Sequence, residues 1–161
     1  MIVIFGKKLQ IINIKLTKES FIRIIVAKFP WNGRRKPMLL QFSVTNHRSI
    51  KNIAVISMKA ASDKTMKEVL LSPDGKKMIV PVMAIYGANA AGKSNVLHAL
   101  LLMREMVCGI YAKPLKGAEL PYEPFAFVDE TIEPTTFEII YYYDGIKYAY
   151  GFSFDREQII K

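Results

Sequence analysis

The segment Gly87-Ala88-Asn89-Ala90-Ala91-Gly92-Lys93-Ser94 constrains the fold of this chain more than any other part of its 161 residues. It fits G-x-x-x-x-G-K-[ST], a glycine loop whose backbone N–H groups can converge on an anion. Its flanks narrow the choice. Ile79 to Tyr86 is an apolar run of buried-strand type, and Lys93 to Val107 carries Val96, Leu97, Leu100, Met103 and Val107 at helical spacing. Strand, loop and helix thus follow one another in the order that sets an anion at a helix N-terminus.

The chemistry expected of such a loop follows from its backbone. Gly87 and Gly92 are expected to take dihedrals that a side chain would forbid, turning successive N–H groups inward, and the phosphates of a nucleotide supply the anion. Lys93 is expected to reach the β- and γ-phosphates, and the Ser94 hydroxyl to take one coordination position on Mg²⁺. The chain has no Asn-Lys-x-Asp run of the kind that selects guanine, so ATP with Mg²⁺ is the expected ligand. The competing reading is a strand-to-helix turn that binds nothing.

Composition bounds the rest. The length suits about one domain. The single cysteine, Cys108, excludes an internal disulfide framework and fits a reducing cytoplasm. No segment approaches the length of uncharged apolar sequence that spans a membrane, so a cytoplasmic protein without membrane contact is expected.

The net charge of +9 is concentrated at one end. Residues 1–37 hold nine Lys and Arg against Glu19 alone, whereas residues 38–161 hold fourteen against thirteen acids. The basic balance therefore belongs to a separate segment and makes no basic patch on the domain. That segment closes in the breaker cluster Pro30, Asn32, Gly33, Arg34, Arg35, Lys36 and Pro37, directly before Met38. We divide the chain into residues 1–37, a basic extension and linker, and residues 38–161, a partial nucleotide-binding domain. Met38 as the native start, or a basic arm for nucleic acid or an acidic partner, are the two readings of the extension.

From Met38 onward the pattern is that of hairpins. Leu40, Phe42 and Val44 alternate with Gln41, Ser43 and Thr45, which predicts a half-buried strand, and Ile53 to Met58 reads as its partner across Asn46-His47-Arg48-Ser49. Ala60 to Ser72 reads as a loop with a helical turn, and Pro73-Asp74-Gly75-Lys76 as a tight turn. Gly109 is placed to end the helix. Asp144-Gly145 is a type I′ signal whose two-residue turn would pair Tyr141 with Tyr148, Ile139 with Tyr150 and Phe137 with Phe152 on one face. That aromatic face could stack bases, but a core-facing sheet needs the same residues, and core is the expectation.

Other candidate sites are thinner. Phe125-Ala126-Phe127-Val128-Asp129-Glu130 resembles a strand ending in the metal-binding and catalytic acids of a Walker B motif, although a plain strand end with solvated acids is preferred because Pro124 opens so short a run. His98 is expected at the surface or boundary of the helix, and His47 in the hairpin turn. No His/Cys/Asp spacing suggests zinc, and no nucleophile motif suggests covalent catalysis.

The loop's wording discriminates among families. Asn89 within Gly-x-Asn-x-x-Gly-Lys-Ser-Asn, ending in Asn95, resembles the ABC-type ATPases of the SMC and RecF group rather than small GTPases or AAA+ motors. Phe42-x-Val44-x-Asn46-x-Arg48-Ser49 is similar to the first strands of that group. More narrowly, Met38 to Ser49, Tyr86 to Asn95, and the strands at Thr136-Phe-Glu-Ile and Tyr150-Gly-Phe resemble bacterial ATP-binding AAA-domain proteins related to OLD-family and abortive-infection ATPases. The resemblance runs from Met38 to about Lys161. It implies that Arg48 lies close to the nucleotide. It also implies two ATPs sandwiched between domains, each completed by the partner's signature motif, with a helical insertion, a Walker B strand and often a nuclease domain or partner farther on.

The expected fold is α/β, the N-terminal lobe of a P-loop NTPase of ABC-ATPase type, with a mixed sheet, β-hairpins and one P-loop helix. The expected ligands are ATP and Mg²⁺, held by Gly87 to Asn95 with Arg48, and Ser94 on the metal. Hydrolysis is expected to need a C-terminal lobe or a second ATPase subunit, with nucleic acid or a nuclease as partner of the full-length protein. The alternatives are a non-catalytic truncated interaction fragment and a complete small phosphotransferase using Asp129 and Glu130.

Overall fold

The computed structural model describes residues 37–61, 67–109, 119–127 and 133–160. Its centre is a five-stranded sheet in the order β2-β1-β3-β4-β5, formed by β1 (Met38–Thr45), β2 (Ala54–Ser57), β3 (Thr135–Tyr143), β4 (Ile146–Phe154) and β5 (Ile159–Ile160). Every ladder in it is antiparallel. The basic extension, residues 1–36, lies outside the described residues, as does the Asp129-Glu130 pair.

Both predicted hairpins form. β1 pairs with β2 from Gln41 opposite Ser57 to Val44 opposite Ala54. Asp144 and Gly145 take φ of 53° and 76°, and the predicted register follows, with Tyr141 opposite Tyr148, Ile139 opposite Tyr150 and Phe137 opposite Phe152. The mirror-image turn matches the twist of the strands, so a two-residue loop fixes every pair behind it.

The aromatic face is core. Phe42, Val44, Phe137, Ile139, Tyr141, Phe152 and Phe154 are buried together under helix α1 (Lys93–Val107), which presents Ala99, Met103 and Met106 to them. Those three recur at i, i+4 and i+7, one stripe of a helix, and the stripe is what the sheet covers. Gly109, at φ 77°, donates its N–H to the Met106 carbonyl and ends the helix as expected.

One strand departs from simple alternation. The register between β1 and β3 shifts between Leu39 and Gln41, a bulge that leaves Leu40 on the opposite face from Phe42 and Val44. Leu40 packs there with Ile79 and Tyr142. The sequence reading put Leu40, Phe42 and Val44 on one side; the extra residue reverses the side for everything before it.

The larger departure is the segment expected as the P-loop strand. Ile79 is buried and bridges Lys59 and Leu71, and Val80 donates to the Met58 carbonyl, but pairing stops there. Residues 82–88 carry no regular structure, and Val82 and Tyr86 are 79% and 88% exposed. An apolar strand of this kind is stable only with neighbours on its edges and cover on its faces, and no described strand pairs with it. Pro81 removes one donor at its start. Among the described residues, the sheet of the expected α/β fold is made of antiparallel ladders, beside one α-helix.

Candidate functional site

The glycine loop turns at Asn89 and Ala90 and delivers the chain into α1 at Lys93. Ala90 and Gly92 take the left-handed conformation, at φ 63° and 81°. Gly87 does not, and a Cβ on it would meet only Ala91 and Lys93 side-chain carbons at 3.6 Å or more. The reversal expected of Gly87 is made by Ala90 instead, a residue whose type gave no sign of it.

Gly92 is the N-cap of α1, and no side chain caps the helix. Asn95 N–H and Val96 N–H donate to the Gly92 carbonyl at 3.0 and 3.4 Å, and Ala91 N–H donates to the Ala88 carbonyl at 3.3 Å. Among the described residues, the N–H groups of Gly92, Lys93 and Ser94 have no acceptor. No acidic side chain stands in the first turn. Unpaired donors and the positive end of the helix dipole therefore coincide, an arrangement that favours an anion.

Lys93 bends back over this loop. Its Nζ donates to the Gly87 carbonyl at 2.7 Å and to the Ala88 carbonyl. The ammonium is thereby held at the mouth of the loop, where three donors on a flexible stem can turn from carbonyls to phosphate oxygens. Ser94 is exposed on the first turn of the helix. Among the described residues no group of three or more His, Cys, Asp or Glu gathers to hold a metal.

The β1–β2 turn stands beside the loop. Asn46 and Arg48 both take φ of 52°, costly for side chains other than glycine, and the connector around residues 120–125 fastens them. Arg48 N–H donates to the Glu123 carbonyl at 2.8 Å, Phe125 N–H donates to Asn46 Oδ1 at 2.9 Å, and Thr135 Oγ1 donates to the Asn46 carbonyl at 2.6 Å. Asn46 Nδ2 donates to the Glu133 carbonyl.

On this turn the Arg48 guanidinium pairs with the Glu123 carboxylate, through Nε to Oε2 and through Nη2 to Oε1 at 3.4 Å. Each partner favours the other's charge. The hydrogen bond to Glu123 raises the Arg48 pKa, and the bond from Arg48 holds the Glu123 carboxyl below its ordinary value. One residue on, Ser49 Oγ accepts a hydrogen bond from Asn95 Nδ2 at 2.7 Å. Turn and loop thus meet through Ser49, while the Arg48 head group, expected close to a nucleotide, is on Glu123. Ser49 lay inside the Asn-x-Arg-Ser run without a role of its own. Glu123 lies in an aperiodic connector where only the fold could single it out.

His47, in the same turn, is buried, with its ring edge against Phe137 at 6.1 Å. Neither ring nitrogen has a partner among the described residues. Burial first, then the neighbouring Arg48 charge, lower its pKa from 6.5 to about 4. It is a neutral core residue. His98 is on the exposed side of α1, as expected.

Residues 82–161 match the family model described as "AAA domain, putative AbiEii toxin, Type IV TA system". The match supports a P-loop domain of the AAA ATPase type. It takes in the whole loop, α1 and strands β3 to β5, and leaves out β1, β2 and the turn with Arg48. No curated protein and no solved structure matches the chain. Among the described residues, no helix is long and apolar enough to cross a membrane.

Proposed function

We propose that this chain binds ATP with Mg²⁺ at Gly87 to Asn95 and serves as the nucleotide-binding lobe of an ABC-type ATPase. One observation carries the reading. The unpaired N–H groups at Gly92, Lys93 and Ser94 open the helix at the same loop whose carbonyls hold the Lys93 ammonium. An anion bound there would meet several backbone donors, a helix dipole and a mobile cation at once. Lys93 would turn to the β- and γ-phosphates, Ser94 would share the magnesium ion, and Arg48 would add a second cation from the neighbouring turn.

Hydrolysis asks for more. In-line attack on the γ-phosphate needs a carboxylate or equivalent to orient water and an opposing surface to stabilise the developing charge. We infer that these come from a further lobe or a second ATPase subunit. The apolar stretch Val82 to Tyr86, exposed where it enters the loop, supports this, because such a stretch needs strands beside it.

Titration of the full chain with a fluorescent ATP analogue, with and without Mg²⁺, tests the reading. Lys93→Ala should weaken binding at least about tenfold, since a charge-assisted contact to phosphate contributes about 1.5–3 kcal/mol. Equal affinity in wild type and Lys93→Ala would remove the nucleotide from this loop.

A further inference from the structure

Among the described residues, one hydrogen bond joins the β1–β2 turn to the phosphate loop and its helix: Asn95 Nδ2 to Ser49 Oγ, at 2.7 Å. The same oxygen closes the space above the N-cap. A Cβ built on Gly92 would lie 3.0 Å from Ser49 Oγ, so turn and loop are at contact distance where Gly92 takes its left-handed φ of 81°. We propose that Ser49 is a positioning residue of the nucleotide site, fastening the Arg48 turn to the loop through Asn95. This rests on the reading of Gly87 to Ser94 as a nucleotide loop.

The coupling between turn and loop is mechanical. The far side of the turn is held by bonds to Glu123, Phe125, Glu133 and Thr135, and within it His47 N–H donates to the Ile50 carbonyl at 2.9 Å while Ile50 N–H donates to the His47 carbonyl at 2.8 Å. Two left-handed residues, Asn46 and Arg48, are kept in place by those bonds. The turn is therefore stiff in itself, and its setting against the loop depends on Ser49. The Glu123 pair uses the Nε and Nη2 atoms of Arg48 and does not use Nη1. Fixing Ser49 to Asn95 fixes where that free end stands relative to a phosphate. A side chain larger than serine would push turn and loop apart, and one without a hydroxyl would leave the Asn95 amide unanswered.

The test is nucleotide affinity of the full chain in Ser49→Ala, Asn95→Ala, Arg48→Ala and the Ser49 double variants with each, alongside Lys93→Ala and with melting temperatures recorded. Ser49→Ala should bind ATP about three- to tenfold more weakly, the range of one neutral hydrogen bond. Asn95→Ala should fall in the same range, and Ser49→Ala combined with Asn95→Ala should be no weaker than the weaker single variant. In the Arg48→Ala background, Ser49→Ala should cost less than about twofold, because the cation it positions is gone. A purely structural serine would instead lower the melting temperature in every background and leave these ratios alone. Wild-type affinity in Ser49→Ala, or losses that multiply with Arg48→Ala, overturns the proposal while the loop reading stands. Undiminished binding in Lys93→Ala refutes the loop reading and the proposal with it.

Discussion

His47 makes the stability of this fold depend on pH in a window where few other groups act. His47 is 1% exposed, and its ring nitrogens have no partner among the described residues, so protonation would place a buried cation beside Phe137 and near the Arg48 charge. Glu123 opposes this in part, and His98 adds slightly to it. The folded pKa is about 4 against 6.5 in the ordinary state, so the unfolded chain binds more protons between those values. Stability must then fall as pH drops from 6.5 toward 4. At 1.36 kcal/mol for each tenfold change in proton affinity, the full loss approaches about 3 kcal/mol, with about 2 kcal/mol gone between pH 7 and pH 5. Glu123 and Asp74 are held low, and their contributions are lost as pH falls through and below their ordinary values of 4.5 and 3.8, beneath the pH 7 to 5 range. Denaturant unfolding of the full chain at pH 7, 6 and 5 reads the loss, and His47→Phe, which keeps an aromatic ring at Phe137, should flatten the slope. Should that variant not fold, the ring resonances of His47 in wild type give its pKa directly. A slope shared by wild type and His47→Phe, or a His47 titration near 6.5, would refute the reasoning.

Two further perturbations probe the sheet on which the site is built. A Cβ at Gly151 would lie 2.7 Å from the Phe137 carbonyl oxygen, a backbone atom that cannot step aside, so Gly151→Ala should destabilise by about 1–3 kcal/mol in chemical denaturation. Tyr142 donates to Asp74 Oδ2 at 2.8 Å from the face opposite the helix, and burial, helped by that bond, pushes its pKa up to about 12. Tyr142→Phe should therefore cost about 1–2 kcal/mol and remove one of the late-ionising phenols in an ultraviolet pH titration, leaving Tyr141, which burial also raises to about 12.

The parts of this fold that were legible in the sequence are those set by neighbours along the chain. Asp144-Gly145 accepts positive φ twice, and that fixed nine cross-strand pairs from Tyr143 opposite Ile146 to Thr135 opposite Phe154. The stripe of α1 and its glycine stop are likewise local properties. Leu40 illustrates the opposite case: a bulge answers to the partner strand, and alternation within β1 carries no trace of it.

The site divides along the same line. Spacing of glycines, Lys93 and Ser94 by itself placed the glycine loop at a helix start, since both the turn and the helix are short-range choices of the backbone. Which residue would reverse the loop, Ala90 rather than Gly87, was a tertiary decision. So were the neutral burial of His47, the pairing of Arg48 with Glu123 across 75 positions, and the meeting of Ser49 with Asn95 across 46. Those contacts depend on how the hairpin, the connector and the helix pack, and packing energy is shared among residues far apart in sequence. The chain's order therefore announced a glycine loop opening a helix, while only the folded arrangement determined what stands around it.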